Sequence, residues 1–345
     1  MLPARLLALS STLAMAIVPL NGALAQSGEL NLYSSRHYDT DERLYSDFEE
    51  QTGIKIKRIE DGADVLIERM SAEGANSPAD VLITVDAGRL FKADDAGLLQ
   101  PVSSDTLNER VPEALRHPDG NWYGFSKRAR VIFYDKNDVS DPPATYQDLA
   151  DPKYKGMICA RSSSNIYMIS LLASIIANEG EEAAQKWAQG LKDNLARDPQ
   201  GGDTDQLRAV ASGECDIALS NTYYFARALG GSVDGLTGQT DDIAVVFPNQ
   251  DTTGTHVNIS GAGVAANAPN KENAILFLEY LASDSAQKYF AEGNNEYPVV
   301  EGVAMASPLT EMTPEGGFKA DELNLSALGE NQAAAVQIYD RVGYK

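Results

Sequence analysis

Residues 215–227 read CDIALSNTYYFAR. An apolar, β-prone run ends in a polar break, and two adjacent tyrosines follow. On a helix Tyr223 and Tyr224 would point about 100° apart, and on a strand to opposite faces. Both hydroxyls reach one point only from a turn or a helix start, and the break at 220–222 offers that. A strand that feeds straight into a helix is the building unit of an α/β fold. The plainer reading is one tyrosine in the core and one on the surface.

The same alternation runs outward in both directions. ELNLYSS (29–35) is strand-like, and TDERLYSDFEEQTG (40–53) is an amphipathic helix stopped by Gly53. IKIKRI (54–59) is a strand, ADVLIERMSAEG (63–74) a helix, ADVLITV (79–85) a strand and AGRLFKADDAGLL (87–99) a helix. Strands alternating with helices of about 10–13 residues indicate βαβ units and parallel pairing. An apolar strand at 129–134 follows a basic cluster of Lys127, Arg128 and Arg130, and then a Pro-rich connection, 141–156. A second α/β series includes a strand at 157–161 and helices at about 165–177, 181–194 and 204–213. Strands at 215–220 and 243–248 complete it. The segment TTGTHVNISGAGVAA (252–266) returns toward the first series as a candidate cleft lining. Helices at 271–282 and 283–293 and a polar C-terminal tail close the chain. Two α/β series joined by polar crossings predict two lobes with mixed and parallel sheets. The first is expected at 26–127 plus about 252–303, the second at 128–251 plus about 304–345.

The 345-residue chain begins with one basic residue, Arg5, an apolar run and Ala23-Leu24-Ala25. That is the pattern of a secretory leader, 1–25, cleaved near Ala25. Neither a twin arginine nor a cysteine accompanies it, which points to general export without a lipid anchor. No later apolar run approaches the roughly 18 residues needed to span a bilayer. A soluble periplasmic protein is expected. The chain carries 28 Lys and Arg against 50 Asp and Glu, a net charge of −22, and −23 without Arg5. Such charge argues against nucleic acid or anionic membranes as partners. It suits a cationic ligand, although it also serves plain solubility. Cys159 and Cys215, both in apolar runs, form either a disulfide or two buried thiols, and export favours the disulfide.

Ligands of open α/β sheets sit outside the carboxyl ends of strands. Three such ends share one flavour: YSSRHYD (33–39), CARSSSNIY (159–167) and ALSNTYY (218–224). Each taken alone reads as a capped helix start with packed tyrosines. Together they place four phenols and one imidazole in two lobes. A phenol, with a pKa near 10, is a poor ligand until a strongly acidic cation displaces its proton. Fe³⁺ is such a cation, and three or four phenolates offset its charge.

These segments carry a resemblance. RHYDTDERLYSDFEEQTGIKI, ARSSSNIYMISLLASIIANEG, GECDIALSNTYYFARAL and AGVAANAPNKENAILFLEYLAS resemble the periplasmic ferric-iron-binding proteins of bacterial ABC transporters, in their cyanobacterial-type branch. The resemblance spans nearly the whole chain after the leader. It implies a two-lobe periplasmic binding protein that closes on Fe³⁺ by a hinge and delivers it to a membrane permease. It implies Tyr38, Tyr167, Tyr223 and Tyr224 as metal ligands, with His37, a ligand in only some members, beside them. It places Arg128 near the metal and Arg227 against the phenolates. The glutamate and phosphate pattern of the other ferric branch is missing. The protein is expected to be a monomer and not an enzyme.

Other signals are weaker. GAGVAA (261–266) fits a dinucleotide fingerprint but lacks the following helix and the acidic residue, so it reads as close backbone packing. His117 and His256 have no zinc-like spacing. G-x-S-x-G and H-E-x-x-H are not present. The alternatives are a same-fold binding protein for a small organic cation or phosphonate, an exported hydrolase, and an iron buffer without a transporter. The first would need carboxylates or helix N-termini where the tyrosines stand.

Overall fold

The computed structural model describes residues 28–36 and 38–345. The expected leader, 1–25, and His37 lie outside the described residues. The first α/β series is β1 (Gly28–Ser34), α1 (Asp41–Thr52), β2 (Ile54–Glu60), α2 (Ala63–Glu73), β3 (Val81–Val85), α3 (Ala87–Asp95), β4 (Leu99–Gln100) and α4 (Asp105–Arg110). The long strand β5 (Tyr123–Asp135) leads out of it. The second series is β6 (Ile158–Cys159), α5 (Ile166–Glu179), α6 (Glu181–Asp193), α7 (Asp203–Ala211), β7 (Ile217–Asn221), α8 (Thr222–Leu229) and β8 (Ile243–Val246). The chain returns through β9 (Val257–Ala265), α9 (Lys271–Leu281), α10 (Asp284–Asn294) and β10 (Tyr297–Pro298). It ends in α11 (Ser307–Met312), α12 (Ser326–Glu330) and α13 (Gln332–Val342).

The strand path is β2-β1-β3-β9-β5-β7-β6. The pairs β1–β2, β1–β3 and β6–β7 are parallel, and β9 runs antiparallel to β3 and β5. Strand β5 belongs to both halves of this path. Its residues up to Ala129 pair with β9, whereas Arg130 to Tyr134 pair with β7. Two lobes therefore share one continuous strand, and the mixed α/β architecture expected from the sequence is present.

Two apolar clusters fill the lobes. In the first, Phe48 and Phe277 meet edge to face at 5.0 Å, both fully buried. Each such ring contributes about 1.5–3 kcal/mol through burial. In the second, Leu171, Leu172, Trp187 and Leu219 pack under Tyr339 of α13. The glycines of GAGVAA serve close packing in β9. A Cβ at Gly261 would lie 2.6 Å from the Tyr123 carbonyl oxygen, and one at Gly263 would strike that of Asn121.

Two expectations need correction. The basic cluster does not precede its strand: Lys127, Arg128 and Arg130 lie within β5, which begins at Tyr123. Buried polar cleft residues interrupt the apolar pattern there and hide the strand's first half. The C-terminal tail is also not a plain polar tail. Ala335, Ile338, Tyr339 and Val342 recur at helical spacing and bury one face of α13. Helix α12 wedges against α3, where a Cβ on Gly329 would run into the Phe91 ring.

Cys159 and Cys215 form a disulfide with Cα atoms 5.9 Å apart, closing a separation of 56 residues. Chain-entropy arguments assign a loop of that length about 4 kcal/mol. The double variant Cys159→Ala/Cys215→Ala is expected to lose about 2–4 kcal/mol of unfolding free energy in urea titration. Equal midpoints for parent and variant would refute this.

Candidate metal centre

The four tyrosines come from three element ends. Tyr38 follows β1 in the short loop before α1. Tyr167 stands in the first turn of α5, where the Asn165 side chain accepts a hydrogen bond from the Tyr167 backbone N–H at 3.1 Å. The serine-rich segment thus caps its helix as the plainer reading expects, and it still turns Tyr167 to the cleft. Tyr223 and Tyr224 stand in the first turn of α8. Asn221 is extended (φ −80°, ψ 147°), and the helix begins at the next residue. The Ala129 N–H donates to the Thr222 hydroxyl at 3.3 Å, which ties this helix start to β5. The two adjacent rings lie side by side, centroids 4.1 Å apart and planes 33° apart.

The hydroxyls converge. The Tyr167 and Tyr223 oxygens are 3.3 Å apart, though 56 residues separate them. Arg227 sits between two of the rings, its guanidinium carbon 5.1 Å from the Tyr38 ring and 5.2 Å from the Tyr223 ring. Tyr38, Tyr167, Tyr224 and Arg227 line a cleft of about 790 Å³, with Tyr223 buried behind them. A separate hollow of about 470 Å³ behind α7 is lined by Arg197, Asp205, Arg208 and Glu214 and holds none of these tyrosines.

Burial pushes the Tyr38, Tyr223 and Tyr224 phenols above their ordinary range. For Tyr38 the nearby Glu296 adds to this; for Tyr223 the neighbouring phenols do. An ionised phenolate is disfavoured here until positive charge arrives. Among the described residues no group of three or more His, Cys, Asp or Glu could hold a metal ion. The oxygen donors gathered in the cleft are phenols, a set suited to a hard, strongly acidic cation.

Against this geometry, the description "bacterial extracellular solute-binding protein" matches residues 76–317. The chain belongs to that family. Iron uptake protein A1 of Synechocystis is 49% identical to this solute-binding protein over 328 residues, 95% of this chain and 90% of that one. The solved structure of the Trichodesmium protein IdiA (FutA), in complex with iron and citrate ligands, is 56% identical, with a TM-score of 0.88. It aligns over 92% of this chain and all of its own. Apo FutA2 of Synechocystis aligns at TM-score 0.87 and 51% identity, over 93% of this chain and all of its own. The fold of the solute-binding protein is the two-lobe periplasmic binding-protein fold.

The solute-binding protein brings every described residue of the expected set together. Arg128 of β5 lies 5.4 Å from the Tyr167 ring. His37 is outside the described residues. Several groups escaped sequence reading. Arg130 and Arg161 also face the Tyr167 ring, at 6.0 and 5.5 Å. Buried Arg36 grips both Asp41 oxygens (2.8 and 3.1 Å) and reaches Glu296 at 3.2 Å. It stacks 5.1 Å from Tyr38 and so fixes the loop that carries this tyrosine. At the other end, Tyr339 and Tyr344 donate to the carbonyls of Met168 and Arg161, and Ser163 N–H donates to that of Lys345. These bonds bracket Tyr167 on both sides. The bonds to Glu296, Met168 and Arg161 join residues 171 to 260 positions apart, so local pattern gives no sign of them.

His256 sits buried in a small hollow that Arg128, Arg130 and Tyr167 also line. Burial, with Arg130 and Arg128 nearby, drops its pKa to about 3. It stays neutral in the folded protein where an unfolded chain would protonate it, near pH 6.5. Stability from this group is present above pH 6.5 and is lost as pH falls toward 3. The slope from this group is about 1.4 kcal/mol per pH unit in that window. His256→Gln is expected to flatten the urea-derived stability profile between pH 6.5 and 4; a profile parallel to the parent's would refute it.

Proposed function

We propose that this protein captures Fe³⁺ in the periplasm through tyrosine phenolates and delivers it to the permease of an ABC transporter. The observation that carries this reading is the meeting of Tyr38, Tyr167, Tyr223 and Tyr224 in one cleft, with two phenol oxygens 3.3 Å apart. Oxygens bound to one ion at about 2 Å stand roughly 3 Å from each other. Relatives named for iron uptake, and an iron complex at 56% identity, support it. No bond is made or broken in the cargo, and the protein is not an enzyme. The leader at 1–25 directs export, and the carrier acts as a monomer.

In this reading the lobes comprise 26–127 plus about 252–303 and 128–251 plus about 304–345. The change of partners along β5 after Ala129, and the passage from β8 to β9, support boundaries close to these. Tyr167, Tyr223 and Tyr224 come from the second lobe. Tyr38, with or without His37, comes from the first and completes the shell when the lobes close. Arg227 and Arg128 add positive charge beside the phenolates.

Ferric citrate added to the purified protein is expected to give an orange to purple colour from phenolate-to-iron charge transfer. Tyr223→Phe and Tyr224→Phe each weaken or abolish it. A colourless protein with no bound iron would overturn the proposal, and would favour the organic-cation or phosphonate reading.

Because the buried phenols carry their protons until iron arrives, binding expels protons. About three to four protons are expected per ferric ion in weakly buffered solution, one for each phenol ionised. Acid works against this release, so affinity falls as pH falls. An affinity unchanged from about pH 8 to pH 5 would contradict phenolate ligation.

A further inference from the structure

Asp86 follows β3 and begins α3. It is fully buried, and its backbone adopts φ +85° and ψ 124°. Residues with a side chain rarely take that conformation, and such positions persist where surrounding structure imposes them. Capping α3 requires only the bond from Gly88 N–H to its Oδ1, at 2.9 Å. A neutral Ser or Asn would supply that cap without burying a carboxylate.

The remaining contacts of Asp86 explain the residue. Its Oδ1 also accepts from the Ser170 hydroxyl of α5 at 2.8 Å. Its Oδ2 accepts from the Asn258 amide of β9 at 2.9 Å and lies 3.8 Å from Arg128 of β5. Its backbone N–H donates to the Ile259 carbonyl at 2.8 Å. One carboxylate thus touches a first-lobe helix, both strands next to the lobe crossing, and a second-lobe helix. Ser170 stands three residues after Tyr167, on the same side of α5. Arg128 is the guanidinium 5.4 Å from the Tyr167 ring.

We infer that Asp86 is a positioning residue that latches α5 to the first lobe in the closed state and sets Arg128 against Tyr167. The inference rests on the ferric reading and its lobe assignment. When the lobes part, α5 carries Ser170 away and the hydrogen bond to Asp86 is lost. The bond therefore enters the rate at which iron leaves. Asp86 also draws on the charge of Arg128. Without that carboxylate, Arg128 acts more strongly on the Tyr167 phenolate, lowers its donor orbitals and raises the energy of charge transfer to iron.

The test measures iron release from the loaded full-length protein to a competing chelator, together with the visible spectrum. Ser170→Ala is expected to release iron about tenfold faster, the effect of one charge-assisted hydrogen bond. Its band stays in place. Ser170→Thr, which keeps the hydroxyl, restores slow release. Asp86→Asn keeps an acceptor for Ser170 but removes the charge, and its band moves to shorter wavelength. Release from Ser170→Ala at the parent rate, or an unmoved band in Asp86→Asn, overturns the inference even if the parent binds iron. If the parent takes up no ferric ion, the ferric reading falls. The latch is then read by small-angle scattering of the metal-free proteins. A larger radius of gyration for Ser170→Ala than for the parent supports it, and equal radii overturn it.

Discussion

Phenols held together out of water are costly to ionise, and the rest of this cleft follows from that constraint. Tyr38, Tyr223 and Tyr224 sit where burial and neighbouring phenols or carboxylates oppose the charged form. A weakly acidic cation gains little there, because it must first displace protons that the site holds firmly. A trivalent, strongly polarising ion repays the displacement with several short bonds at once. On the ferric reading, selectivity lies in the work of deprotonation and needs no size filter. The cleft can then be wide, about 790 Å³, and still discriminate.

Such a set of oxygens needs a frame that does not compete for the cargo. The chain is strongly acidic at −22, yet arginines surround these rings. The buried ones are paired with carboxylates: Arg36 with Asp41 and Glu296, Arg128 with Asp86, and Arg130 with Asp203. Removing one partner of a buried pair strands the other charge, which is far worse than never burying the pair. These carboxylates are committed to guanidinium groups, and the phenols remain the oxygens offered to an ion. Four phenolates around Fe³⁺ would leave one negative charge in excess. Arg227, stacked on both Tyr38 and Tyr223, is placed to offset it.

The alternating units of the fold were legible because apolar period and glycine stops agree from Leu30 to Gly74 and again from Ile158 to Leu219. Gly53 and Gly74 end their helices in positive-φ conformations, as a stop should. The tyrosines were legible because each follows a strand end and a polar break. What stayed hidden depends on distance. Arg36 and Glu296 are 260 residues apart, and Asp86 and Ser170 are 84. Strand β5 was half hidden because a buried strand lining a cleft carries Ser126, Lys127, Arg128 and Arg130 where apolar residues are the rule. Helix α13 was hidden by the polar residues of its outer face, although its inner face holds the helix that presents Tyr167.

The crossing strands also carry the groups that tune the site. Arg128 and Arg130 straddle the point where β5 changes partners, while Asn258 and Ser260 occupy the returning strand and His256 directly precedes it. Arg128 lies over the Tyr167 ring from the part of β5 that pairs with β9, Arg130 from the part that pairs with β7, and Arg161 from the segment before α5. On the ferric reading, a hinge that bends β5 near Ala129 and Arg130 moves Tyr38 relative to these cations. With the lobes closed on that reading, Tyr38 comes within reach of Arg227. Closure thus raises the positive potential around the phenols at the moment the last oxygen arrives. Opening lowers it and favours the return of protons. On the ferric reading, the mechanical step and the electrostatic step run along the same strand.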